Sequence, residues 1–94
     1  MPIKFDWDPN KARRNLRKHR IDFDEASTIF ADTLSITIPD PDHSDDQERW
    51  VTVGLSNRHR LLVVVHTEEG ETIRLISARR ANRLERRKYE EGNS

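Results

Sequence analysis

Apolar residues change their spacing along this 94-residue chain, and the change marks out its elements. Residues 3–7 read as a short strand or an extended arm. Asp8-Pro9 then starts a helix, because the carboxylate can accept a free amide as N-cap and proline suits the first helical position. The helical period runs to about His19, with Ala12, Leu16 and His19 inward and Lys11, Asn15 and Lys18 on another face. Asp22 opens a second helix, with Glu25 three residues later as in a capping box. Phe23, Ala26, Ile29 and Phe30 give this helix its core stripe as far as Asp32.

From Leu34 the period is two. Leu34, Ile36 and Ile38 alternate with Ser35 and Thr37 until Pro39. Val51, Val53 and Leu55 alternate with Trp50 and Thr52. Residues 60–67 are apolar on both sides, as in a central strand. A turn at Gly70 leads into a last strand over residues 72–78. Ser77 is placed to cap a final helix over residues 78–90, with Ala81 and Leu84 inward. The expected fold is α+β: two N-terminal helices, a four-stranded antiparallel meander and a C-terminal helix, with the helices on one face of the sheet. One domain spans residues 1–94.

Composition narrows the class. Hydrophobic residues are 33% and charged residues 36%, so the core is thin. There is no cysteine, which excludes disulfides and thiolate metal sites. No apolar run reaches the roughly 20 residues of a membrane span. The N-terminus lacks the order of a secretory signal, so a soluble cytoplasmic protein is expected. Seventeen basic and seventeen acidic residues balance, but they are segregated. Residues 11–20 are basic without an acid, residues 40–48 are acidic without a base, and residues 74–89 are arginine-rich with Glu85 as the one acid. A polyanion partner therefore stays open despite neutrality.

His19, His43, His59 and His66 are scattered, and no metal-ligand spacing, glycine-rich phosphate loop or Ser-His-Asp signature is present. Basic residues at a sheet edge are the better candidate. Arg74 lies in the last strand, facing the same way as Ile76. Arg79 and Arg80 follow it, and Arg58 and Arg60 flank the preceding hairpin turn. Guanidinium binds phosphate oxygens bidentately. RNA cleavage by the neighbouring 2′-hydroxyl needs a base, an acid and cations on the pentavalent phosphorus. His19, His66 and Glu48 are candidates for proton transfer, and Trp50 and Tyr89 for stacking on bases. The expectation is a pocket of converging guanidinium groups. The bland alternative is a surface ion pair for each arginine.

Four stretches, FDWDPNKARRNLRKHRIDFDEA, ERWVTVG, LLVVVHT and IRLISARRANRLERRKY, together resemble the BrnT family, toxins of bacterial BrnT/BrnA type II toxin–antitoxin systems. The resemblance implies a RelE-like fold and a cofactor-free, metal-independent endoribonuclease that inhibits translation. It implies a BrnA-like ribbon–helix–helix antitoxin that binds operator DNA. The family's polar signature falls on Lys18, His19, Glu48, Arg49, Arg74, Ser77, Arg79, Glu85 and Tyr89. On this reading Lys18, His19, Glu48, Arg74, Arg79 and Tyr89 are catalytic, and Arg49, Arg58, Arg60 and Arg80 bind RNA. One position departs: Arg20 stands where the family usually has glycine. The rival reading is a non-catalytic binding module, or a degenerate toxin, that grips an antitoxin or DNA through the same surface.

Overall fold

The computed structural model describes residues 3–42 and 48–92. Most of the expected acidic loop, His43 to Gln47, therefore lies outside the described residues. The elements are β1 (Lys4–Asp6), α1 (Pro9–His19), α2 (Phe23–Ser27) with a 3₁₀ turn (Thr28–Ala31), β2 (Ile36–Pro39), β3 (Trp50–Leu55), β4 (Leu61–Glu69), β5 (Thr72–Arg80) and α3 (Arg83–Gly92).

The expected meander is present from β2 to β5, but the sheet has five strands and is mixed. Its order is β1-β5-β4-β3-β2, and β1 pairs parallel to β5 through Lys4–Thr72, Phe5–Ile73 and Asp6–Arg74. The N-terminal arm is thus an edge strand. It stops opposite Arg74, so among the described residues the β5 edge from Leu75 onward has no strand neighbour.

α1, α2 and the 3₁₀ turn cover one face. Phe23, Ala26 and Ile29 of these elements, with Ile21 of the α1–α2 link, pack on Leu62, Val64, Ile73, Leu75 and Ala78. Each of these side chains other than the two alanines contributes roughly 1.5–3 kcal/mol on burial. The 3₁₀ turn presses so closely on β3 that a Cβ at Gly54 would meet Ile29 and Ser35 at 3.1 Å. The expectation that all helices share this face fails at α3. Tyr89 of α3 shares a cleft with Val51 and Val53, whose side chains oppose that of buried Thr52. The reason is β4, where Leu61 and Val63 are as buried as Leu62 and Val64. A strand apolar on both faces needs cover on both.

Three local expectations are corrected. In α1, Asn15 is 6% exposed and Leu16 is 47% exposed, so the inward face is the one carrying the amide. The unpaired β5 edge offers that amide hydrogen bonds that leucine cannot make. In α2, Asp22 accepts from the Glu25 N–H at 2.6 Å, but the Glu25 carboxylate turns to Ser56 and Arg60 instead of closing a capping box. At the C-terminus, Ser77 lies inside β5 and caps nothing. Asn82 and Glu85 exchange side-chain and backbone bonds of 2.8 and 2.9 Å and begin α3 there. Leu84 points to solvent at 57% exposure, and Glu85 and Tyr89 face inward.

Candidate functional site

A β-bulge organises the site. The β4–β5 register pairs Val65 with Ser77 but His66 with Leu75, which leaves Ile76 as the extra residue. Simple alternation would put Arg74 and Arg79, five residues apart, on opposite faces. The bulge restores parity. Arg74, Ser77 and Arg79 oppose Thr67, Val65 and Val63, and all three lie on the outer face, away from the α1–α2 core. The expected pairing of Arg74 with Ile76 on one face is replaced by Arg74 with Ser77.

Ser77 also lines a groove of about 360 Å³ between β5 and α1, beside Ile76. Lys11, Arg14, Lys18 and His19 form its other side, with Asn15 between them. Among the described residues no acid lines it, and none of the three cations or the imidazole makes a side-chain hydrogen bond or ion pair with a described residue. Asn15 locks the two walls together. Its amide donates to the Ala78 and Ile21 carbonyls at 2.9 Å each and accepts from the Ala78 N–H at 3.0 Å. Lys18 and His19 are therefore held in the last turn of α1 at the β5 edge. Arg20 closes that turn with φ 61° and ψ 29°, donating its N–H to the Leu16 carbonyl at 2.9 Å. The arginine takes the left-handed conformation that glycine takes cheaply.

The expected guanidinium pocket does not form. Arg74 is paired with Asp6, its cross-strand partner. Arg79 is held bidentately by Glu85 at 2.8 and 2.7 Å, which keeps the Glu85 carboxyl below its usual range. Arg60 grips Glu25 on the core side of the sheet, where the Ser56 hydroxyl also donates at 2.7 Å. The Arg60 hydrogen bond lowers the Glu25 pKa against the opposing effect of burial. Arg60 is thus committed to the fold. Arg58 is exposed in the β3–β4 turn, and Arg80 lies exposed at the far end of β5 opposite Leu62. The positive pocket is made instead by α1, whose Lys11 and Arg14 were not among the expected site residues. Their signal was the i, i+3, i+7 spacing of Lys11, Arg14 and Lys18.

Other expected participants are held elsewhere. His66 is 0% exposed, shares a 2.7 Å hydrogen bond with Thr52, and sits edge-on to Phe30 with ring centroids 4.9 Å apart. Burial lowers its pKa to about 4, so it is neutral and shut off from substrate. Tyr89 donates to Asp32 at 2.6 Å, and burial together with that carboxylate pushes its pKa up to about 12. Glu48 is exposed just before β3, and the half-buried Arg49 accepts the Asp40 N–H at 2.8 Å through its carbonyl. Among the described residues no three His, Asp or Glu side chains converge as a metal site would require. No helix among them is long and apolar enough to cross a membrane.

Fold and site define a small α+β protein with a cationic groove at a sheet edge that no acid among the described residues lines, a place for an anion. Residues 7–85 match the family model of BrnT, the ribonuclease toxin of type II toxin–antitoxin systems, and the chain belongs to that family. It is therefore a ribonuclease toxin by family, and a type II system implies an antitoxin partner. The structure is similar to the 1.1 Å crystal structure of the Brucella abortus ribonuclease toxin BrnT. The TM-score is 0.63 at 24% identity, over 87% of this chain and 100% of that one. At that identity the likeness is one of fold. No curated protein matches the chain.

Proposed function

We propose that this chain is a metal-independent endoribonuclease, a single RelE-like domain that cuts RNA and thereby stops translation. The observation that carries the reading is the groove in which Lys18 and His19 meet Ser77, the middle residue of the Arg74–Ser77–Arg79 row. The 2′-oxygen attacks phosphorus and the bond to the 5′-oxygen breaks. His19, the proton-transfer candidate that lines the groove, takes the hydroxyl proton, and its imidazolium gives that proton to the leaving 5′-oxygen. Lys18 holds the charge that builds on the phosphoryl oxygens. Arg74 and Arg79 flank it on the outer face, each already shared with a carboxylate. The products are a 2′,3′-cyclic phosphate and a 5′-hydroxyl, and no water is consumed. Tyr89, with its hydroxyl given to Asp32, acts as a clamp for α3.

The antitoxin partner in this reading is a BrnA-like ribbon–helix–helix protein that carries the pair to operator DNA. Incubating labelled RNA with the protein in the presence of a chelator tests the enzyme. Cleavage to cyclic-phosphate ends is expected, falling about 10²–10⁴-fold in His19→Ala. Intact RNA with the wild-type chain, or cleavage abolished by the chelator, overturns the reading. One observation favours a second reading. Arg60, Arg74 and Arg79 each carry their own carboxylate, as in a binding module that grips antitoxin or DNA without chemistry. A wild-type chain that shifts promoter DNA alone and leaves RNA uncut supports that second reading.

A further inference from the structure

We propose that α1 is a phosphate track: Lys11, Arg14 and Lys18 hold successive phosphates of one single-stranded RNA segment and lead it to His19 and Ser77. The inference rests on the ribonuclease reading above and names the substrate form and the residues that grip it away from the cut.

Several observations converge. The three cations lie on one side of the helix and line one groove. Lys11 and Lys18 are seven steps apart, about 10 Å at 1.5 Å per residue, against about 7 Å of axial rise across three successive phosphates at about 3.4 Å each, a difference that long flexible side chains close. Among the described residues they have no carboxylate partner, whereas Arg60, Arg74 and Arg79 all do. In a chain with equal numbers of acids and bases, cations left unpaired along one line are the part of the surface reserved for an outside anion. The opposite wall is Ile76 and Ser77, the bulged stretch of β5 beyond the end of β1. The groove runs between one helix and one strand edge, with cations on one wall and uncharged residues on the other, an arrangement that suits one strand with its phosphates turned to α1. Phosphate contacts of this kind position a strand without reading its sequence.

The test uses the full chain and a labelled 2′-O-methyl RNA of about eight nucleotides, which lacks the attacking hydroxyl and stays uncut. Its affinity is followed from roughly 0.05 to 0.3 M salt. Three phosphate contacts on a single strand predict a slope of log K against log salt near about −2. Lys11→Gln and Arg14→Gln should each reduce that slope by about 0.7 and weaken binding about fourfold near 0.15 M salt. Arg13→Gln, on the far side of α1, should leave both unchanged. With cleavable RNA, the Lys11 and Arg14 variants should raise KM and leave kcat within about twofold, as expected when a contact is equal in ground and transition states. The track is overturned if the slope survives both substitutions, or if a duplex of the same length binds as tightly as the single strand. It is also overturned if the variants keep the oligonucleotide but lose the antitoxin, which would assign the groove to protein. Cleavage by the wild type with unaltered binding by the variants sinks the track and spares the ribonuclease. Binding with the stated slopes but uncut RNA does the reverse.

Discussion

The side-chain amide of Asn15 satisfies both backbone groups of Ala78, donating to its carbonyl at 2.9 Å and accepting from its N–H at 3.0 Å. It behaves as one residue of a missing strand at the β5 edge, and a third bond to the Ile21 carbonyl ties in the start of the next helix. Asn15→Ala leaves three buried backbone groups without this partner, each costing about 1–3 kcal/mol when unsatisfied. Water entering the gap offsets part of that, so a loss of about 3 kcal/mol in urea unfolding is expected. Asn15→Asp should be no milder, since it points an acceptor at two carbonyls. Losses below about 1 kcal/mol for both would mean the edge is satisfied another way.

His66 predicts a pH dependence. Its pKa is lowered to about 4 in the fold from an ordinary 6.5, so the unfolded chain binds the extra proton between those values. Stability should be full above about pH 6.5 and fall as the pH drops towards 4. The loss is about 3 kcal/mol at about 1.4 kcal/mol per unit. His66→Gln should flatten the stability profile between pH 5 and 6.5, whatever its effect on absolute stability. An unchanged slope in that window would refute the assignment.

A second, more acid arm comes from Glu25. Its pKa lies below the ordinary 4.5 chiefly through Arg60, so its contribution is present above pH 4.5 and is lost as the pH falls through the folded value. Glu85, held by Arg79, adds in the same direction. Glu25→Ala also strands Arg60, whose side chain is only 24% exposed. A loss of about 3 kcal/mol at neutral pH is expected, measured by denaturant unfolding. A neutral result there would make the pair dispensable.

Arg20 bears a left-handed backbone that costs a non-glycine residue about 1–2 kcal/mol. Glycine gains flexibility in the unfolded chain, which offsets part of the relief. Arg20→Gly should therefore stabilise by about 0.5–1 kcal/mol and raise Tm by a few degrees. A lower Tm would show that the Arg20 side chain contributes more than its backbone costs.

Tyr89 is one tether of α3, beside the Arg79–Glu85 pair, and the helix buries no residue fully. Tyr89→Phe should cost about 1 kcal/mol and speed amide exchange in α3 before the sheet. Exchange that rises equally everywhere would argue against a local clamp.

Local chemistry was legible in the sequence itself. Asp8-Pro9 and Asp22 start their helices as a short-range hydrogen bond and a fixed φ dictate, and the alternation of Val51, Val53 and Leu55 marked β3 because side chains on a strand repeat every two residues. The basic run of α1 and the family likeness were also there to be read. What only the tertiary structure decided is every relationship across the sheet. An unpaired β5 edge turned α1 so that Asn15 and not Leu16 faces inward. A single extra residue at Ile76 brought Arg74, Ser77 and Arg79 to one face. Glu25, Asp6 and Glu85, distant from or merely near their partners in sequence, took the arginines expected to form the pocket. Carboxylates choose partners by proximity in space, and chain order does not carry that distance; among the described residues the groove-lining cations of α1 were left without a carboxylate and became the candidate site.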